Sequence, residues 1–221
     1  MKSILSIVLI AAIFSSGCKT WNKTQKGAVI GTAGGAAVGA VIGRASGNTA
    51  LGAIIGATVG GVAGAVIGRQ MDKQAEEMKK NIPDATVERV GEGIIVEFNS
   101  KILFAFDKSN LSPEARVNLN KLIGILNKYP DTNIEVQGHT DDVGTAHYNK
   151  ALSKRRASAV SSYLSSNNIA SSRLTTKGFG EIANKYSNST EEGQAQNRRV
   201  EFLITANEKM KAAAAKESGK Q

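Results

Sequence analysis

The C-terminal half of this 221-residue sequence predicts an α/β (α+β) sandwich, a mixed sheet with helices on one face, preceded by a glycine-rich α-helical hairpin. Three observations predict it. Apolar alternation of period two recurs in short runs; those runs are interleaved with stretches of helical period; and a four-residue glycine repeat fills an earlier segment with no strand or turn character.

The elements follow in order. "GIIVEFNSKILFAF" (Gly93–Phe106) is rich in β-formers and predicts two short strands. "LSPEARVNLNKLIGILNKYP" opens a helix with Ser112 as N-cap and Pro113 at the first helical position. Leu119, Leu122, Ile123 and Leu126 then fall on one face, and Tyr129-Pro130-Asp131 stops the helix. "NIEVQGH" (Asn133–His139) predicts a strand. A second helix covers Ala146–Ser166 and ends at Asn167-Asn168. "RLTTKGFG" predicts a short strand, and "RRVEFLITA" a last one with Val200, Phe202 and Ile204 alternating. After Asn207 the Ala/Lys-rich tail reads as a helical or frayed extension.

Between Lys26 and Arg69 glycines recur every fourth residue, first Gly27, Gly31, Gly35, Gly39 and Gly43, then Gly52, Gly56, Gly60, Gly64 and Gly68. That spacing puts them on one helix face, where another backbone can approach closely. In water each glycine costs a helix about 1 kcal/mol relative to Ala, so a membrane or a packed oligomer must compensate. Residues 27–69 are therefore expected to form a helical hairpin in or against a membrane; an apolar low-complexity spacer is the plainer alternative. "MDKQAEEMKK" (Met71–Lys80) is polar and helix-prone, and residues 70–92 read as a connector.

The net charge of +9 invites nucleic acid, an anionic membrane or an acidic polymer as partner. Nucleic acid is disfavoured, because no basic patch interleaved with aromatics and no helix-turn-helix, zinc-finger or RNA-binding signature occurs. The single cysteine, Cys18, excludes an internal disulfide. Lys2, the apolar run Ile4–Phe14 and Ser15-Ser16-Gly17-Cys18 have the pattern of an export signal over residues 1–17. Its small residues before a lone Cys resemble a bacterial lipobox, with Ser15 standing where an aliphatic is usual. This resemblance implies an acylated Cys18 and a linker over 18–26; a conventional signal with a chance Cys, or an uncleaved anchor, are the alternatives.

The chemistry concentrates in "GHTDDVGTAHYNKALSKRR" (Gly138–Arg156). Asn149 and Arg156 lie seven residues apart and share a helix face, whereas Arg155 points about 100° away toward solvent. Asp141 sits in the turn that feeds this helix, so it can face Arg156 across a shallow pocket or form a structural salt bridge with it. Catalysis lacks a nucleophile motif and a base, so no enzyme is expected. Metal binding by His139, Asp141 and Asp142 is weak, because adjacent carboxylates at a strand end diverge; no metal and no cofactor is expected.

"GHTD" (Gly138–Asp141), Gly144, Asn149, "LSKRRA" (Leu152–Ala157), "GFGE" (Gly178–Glu181), "NRRV" (Asn197–Val200) and "FAFDKSNL" (Phe104–Leu111) occur in one order at compatible spacing. Together they resemble the OmpA-like peptidoglycan-binding domain, with the Pal and MotB proteins, over residues 93–206. With the ladder and the lipobox, the chain resembles glycine-zipper outer-membrane lipoproteins of the YiaD type. The resemblance implies a βαβαβ-type sheet and non-covalent capture of diaminopimelate in the cell-wall peptide. By it Asp141 takes the ligand ammonium, Arg156 its carboxylate, and Asn149 bonds the ligand or fixes the loop. Asp107, Asn197 and Arg198 or Arg199 line or brace the pocket, Asp142 is solvated and His139 structural. The implied partners are peptidoglycan and a membrane, reached through the lipid and the hairpin, with self-association of the chain. The implied location is the outer membrane with the domain facing the periplasm; Lys19 after Cys18, rather than Asp, favours that membrane over the inner one. The alternative is a membrane-active or self-associating glycine-zipper protein that the domain merely localises. A role coupled to ion flow is disfavoured, since residues 27–69 contain no Asp or Glu to carry a proton.

Overall fold

The computed structural model describes residues 59–104 and 108–219. The helical hairpin expected over 27–69 lies outside these residues except for its last part. Five strands form one sheet in the order β1-β2-β5-β3-β4: β1 (Thr86–Val90), β2 (Gly93–Asn99), β3 (Thr132–His139), β4 (Leu174–Gly180) and β5 (Arg199–Ala206). Only β3 and β4 run parallel; β5 is antiparallel to both β2 and β3.

Register places Ile94, Val96 and Phe98 of β2 beside Ile204, Phe202 and Val200 of β5, which in turn meet Ile134 and Val136 of β3. These side chains share one face and one core with residues of four longer helices and with Leu103 of a shorter one. The helices are α1 (Gly61–Asn81), α3 (Pro113–Lys128), α4 (Ala146–Ser166) and α6 (Glu208–Ser218). Two shorter ones are α2 (Ser100–Leu103) and α5 (Glu191–Asn197). The expected sandwich with helices on one face is thus the observed architecture. Helix α3 starts as its sequence dictates: Ser112 Oγ accepts from Ala115 N at 2.9 Å, and Pro113 follows.

Two expectations are corrected. Residues 70–92 are not a connector: α1 runs through them with Ile67, Met71, Ala75 and Met78 fully buried, and Thr86–Val90 pairs with β2 as an edge strand. The described part of that segment, Gly93–Phe104, holds one strand rather than two, because Asn99 accepts from Lys101 N and starts the single turn α2, leaving Phe104 in an isolated bridge with Leu111. Of the two forms expected for the tail, the structure shows the helical one, docked on the core through Met210 and Ala214.

The ladder's last two glycines lie against the end of β1 and the turn after it. A Cβ at Gly64 would lie 2.3 Å from Glu92 Oε1, and one at Gly68 would lie 3.8 Å from Arg89 Nη2. Glu92 accepts from the backbone N–H of Val59 and of Gly60, both at 2.7 Å, just where Gly60 and Gly61 take φ of 71° and 63°. The turn between β1 and β2 is therefore fastened to the start of α1.

Glycine also decides how closely α4 lies on the sheet. A Cβ at Gly138 would sit 2.1 Å from Ser153 O, and one at Gly178 2.5 Å from Lys154 N. Gly138→Ala is expected to lower unfolding free energy by about 2–3 kcal/mol, since backbone must move rather than a flexible side chain. Urea denaturation of the variant measures this.

Candidate functional site

The C-terminal end of β3 and the first turns of α4 build the site. After His139 the chain leaves the sheet through Thr140 and Asp141. It turns at Gly144, whose φ of 106° favours glycine. Thr145 then caps α4 by accepting from Tyr148 N at 3.2 Å. Because Gly138 and Gly178 hold α4 against β3 and β4, its inward stripe of Asn149, Leu152 and Arg156 faces the Asp141 turn.

These residues line a cavity of about 770 Å³. Asp141, Asn149, Arg156 and Arg198 supply charge and polarity, and Phe104, Val143, Tyr148 and Leu152 supply an apolar wall. Asp141 is 6% exposed; its Oδ2 is ion-paired with Arg198 Nη1, and its Oδ1 accepts from Val143 N at 3.3 Å. Arg156 is 5% exposed, donates from Nε to Lys108 O at 3.0 Å, and lies 5.3 Å over the Phe104 ring. Asn149 Nδ2 donates to Asp141 O at 3.3 Å and to Glu181 Oε2 at 2.7 Å. Arg155 is exposed, as the helix geometry predicted, and Asp142 is exposed, as the resemblance implied.

The "NRRV" segment divides between the two faces of the sheet. Arg198 turns into the cavity. Arg199, 2% exposed, turns to the face opposite the helices, where its Nε donates to Glu201 Oε1 at 2.7 Å and its Nη2 to Ala183 O at 3.0 Å. Lys185 joins them, 2.8 Å from Glu97 and 3.1 Å from Glu201. Burial raises the Glu201 carboxyl, but Arg199, His139 and Lys185 outweigh it and hold its pKa below the ordinary value. Burial likewise works against the charge on Lys185, and Glu201 and Glu97 overcome it, leaving that pKa raised. Asn197 is fully buried and does not line the cavity. Its Oδ1 accepts from Lys185 N and Tyr186 N at 3.1 and 3.0 Å, and its Nδ2 donates to Tyr186 O at 2.8 Å. It braces the 184–188 loop, and with Arg199 it fixes the backbone that presents Arg198.

His139 belongs to this second face. Its ring stacks on Phe179 with centroids 5.2 Å apart, and burial, aided by Arg199, pushes its pKa down to about 3. Asp142 is exposed, and no group of three His, Cys, Asp or Glu among the described residues is placed to hold a metal. Asp107 lies outside the described residues, as does Cys18.

Five cavity residues escaped the sequence reading: Ser100, Lys101, Thr140, Val143 and Tyr148. Ser100 and Thr140 are 4% and 2% exposed, and neither hydroxyl has a hydrogen-bond partner among the described residues. Only the turn of α2, which replaces an expected strand, brings Ser100 and Lys101 to the cavity.

Residues 103–198 match the OmpA family, and residues 1–72 match the YMGG-like Gly-zipper. Outer membrane protein A of Bordetella avium is 42% identical over 52% of this chain and 59% of its own length. The probable lipoprotein YiaD of Escherichia coli is 37% identical over 54% of this chain and 55% of its own. The peptidoglycan-binding protein ArfA of Mycobacterium tuberculosis is 36% identical over 47% and 32%. This chain thus spans less than two thirds of the length of these relatives. Among solved structures, a MotB-like protein of Desulfovibrio vulgaris superimposes with a TM-score of 0.60 at 27% identity, over 64% of this chain and 94% of that one. The cell wall anchor of the T6SS from Pseudomonas aeruginosa gives 0.54 at 27% identity, over 62% and 97%. No helix among the described residues is long and apolar enough to cross a membrane. Similarity to the OmpA family thus falls on residues 103–198, which supply most of the cavity, and similarity to the YMGG-like Gly-zipper falls on residues 1–72.

Proposed function

We propose that this domain captures the peptide of peptidoglycan non-covalently and tethers a membrane to the cell wall. The observation that carries this reading is the convergence of one buried carboxylate, Asp141, and one buried guanidinium, Arg156, on a single cavity. The terminal zwitterion of diaminopimelate offers an ammonium beside a carboxylate. Asp141 has lone pairs to spare beyond those given to Val143 N and Arg198, and it receives the ammonium there. Arg156 receives the carboxylate, with a planar fork that suits two parallel bonds. Arg198 holds the Asp141 carboxylate in place, Asn149 ties the turn to Glu181, and the apolar wall takes the ligand's methylenes.

The names of two similar proteins, a peptidoglycan-binding protein and a cell wall anchor, support the same reading. None of the steps is covalent, so the protein acts as a binder rather than an enzyme. At the other end, an acylated Cys18 and the glycine ladder hold the chain to the outer membrane, with the domain in the periplasm and neighbouring ladders packing together. The probable lipoprotein YiaD, similar over half of this chain, supports the lipid.

Co-sedimentation of the full chain with purified diaminopimelate-type peptidoglycan tests the proposal. The wild type is expected to pellet with the wall, and Asp141→Asn to bind at least tenfold more weakly, since the ammonium loses its counter-charge. Equal binding by the two proteins would remove Asp141 from the pocket's function.

A further inference from the structure

The loop between β4 and α5 is tied down from the inside and bare on the outside. Asn197, fully buried, accepts from Lys185 N and Tyr186 N and donates to Tyr186 O and to Asn188 Oδ1. Arg199 donates to Ala183 O, and the Lys185 ammonium pairs with Glu97 and Glu201. A loop held in this way has little conformational freedom left to lose when a partner binds. Yet it presents Ile182, at 74% the most exposed large apolar side chain among the described residues, together with Tyr186 at 42%. Apolar and aromatic side chains on a rigid frame are what the centres of protein interfaces are built from.

Opposite charges flank this tip. On one side Gly180 brings the end of β4 onto α4, where a Cβ would lie 3.0 Å from Lys150 N. Helix α4 contains no acidic residue and exposes Lys150 and Lys154 there. On the other side α5 packs on the loop, a Cβ at Gly193 lying 2.0 Å from Ser187 O, and its first turn exposes Glu191 and Glu192. None of these four charges forms an ion pair with another described residue. An apolar centre with cations on one flank and anions on the other is complementary to itself, because a half-turn about the centre brings each flank against its opposite.

We propose that this surface pairs two copies of the chain about a two-fold axis. Ile182 and Tyr186 of both copies meet at the centre, and Lys150 and Lys154 of each face Glu191 and Glu192 of the other. A different protein would have to carry both charges in the matching order; a second copy carries them already. Charges at the rim of such a contact fix its register more than its strength. The pairing stands apart from the wall-binding reading, since none of these six residues is among those lining the cavity.

Carbodiimide cross-linking of an equal mixture of isotope-labelled and unlabelled full chain, read by mass spectrometry, tests the pairing. The reagent joins an amine to a carboxylate in contact with it, and mixed-isotope peptides arise only between copies. Peptides joining Lys150 or Lys154 of one copy to Glu191 or Glu192 of another are expected. Ile182→Asp, at an exposed site that leaves the core intact, is expected to yield about tenfold fewer of them. An equal mixture of Lys150→Glu/Lys154→Glu and Glu191→Lys/Glu192→Lys proteins is expected to form cross-links between the same positions with the reacting groups exchanged. The pairing is disproved if the wild type gives no mixed-isotope cross-link at these positions, if Ile182→Asp gives as many as the wild type, or if the charge-reversed mixture gives none. Copies joined only through other residues would disprove it too, and would assign self-association to another surface.

Discussion

Arg156→Ala is expected to weaken binding to diaminopimelate-type peptidoglycan about 100-fold, which corresponds to roughly 3 kcal/mol. Arg156 is 5% exposed, so a ligand carboxylate beside it is screened little by water. Removing the cation leaves that carboxylate desolvated without a partner, which costs more than the net value of the pair. Arg156→Lys separates charge from geometry. The ammonium can keep a position over Phe104, where the guanidinium now lies at 5.3 Å, but it cannot reproduce a planar fork. Binding about tenfold below the wild type is expected for it. Co-sedimentation reads both variants, and a thermal melt monitored by circular dichroism shows whether each stays folded. Wild-type binding by a folded Arg156→Ala protein would move the carboxylate contact elsewhere in the pocket.

How far the sequence revealed this arrangement depended on the distance over which each signal acts. Local rules held for α3 and α4. Ser112-Pro113 and Thr145 cap their helices through bonds spanning three residues, and the apolar spacing from Leu119 to Leu126 is buried as written. Alternation in β5 likewise sends Val200, Phe202 and Ile204 to the core. Helix α1 went unrecognised as part of the domain because its composition outweighed its spacing. Ile67, Met71 and Met78 fall on one face, yet they stand among the charged residues of Met71–Lys80. That face meets β1 and α6, partners that only the tertiary fold supplies.

The site divides in the same way. Asp141, Asn149 and Arg156 come from one contiguous turn and helix, so helical geometry alone placed the last two together. The choice between Arg198 and Arg199 needed strand register: Arg199 and Glu201 share the face away from the helices, where Lys185 and Ala183 of a distant loop receive them. Ser100 and Lys101 come to the cavity because the chain forms a helical turn immediately after β2. That turn depends on Asn99 as a cap, within a run whose residues favour strand.

Stability is expected to fall as pH drops from about 6.5 toward 3, by about 1.4 kcal/mol per pH unit from His139 alone. The folded pKa of about 3 lies below the ordinary 6.5, so over this window the unfolded chain takes up a proton that the folded one refuses. His139 thus contributes stability that is present above 6.5 and lost as pH falls through the window. Burial is the main cause, and neither ring nitrogen has a hydrogen-bond partner among the described residues to hold an added proton. The groups facing it include Arg199 and Lys185, which repel the imidazolium, and Glu201, which attracts it too weakly to compensate. Glu201 acts in the same direction at lower pH, because its folded pKa is also depressed and its pairing with Arg199 is lost on protonation. Between pH 6.5 and 5 most carboxylates stay ionised, so the change there, about 2 kcal/mol, belongs chiefly to His139. Urea denaturation at pH 7.5, 6.5, 5.5 and 5.0 measures it, and His139→Phe, which keeps an aromatic ring against Phe179, is expected to flatten the dependence. An equal slope in that variant would assign the acid sensitivity to other groups. Because Arg199 and Asn197 hold the backbone of Arg198 from this same face, wall binding is expected to weaken as the cluster loosens, at a pH above that of global unfolding.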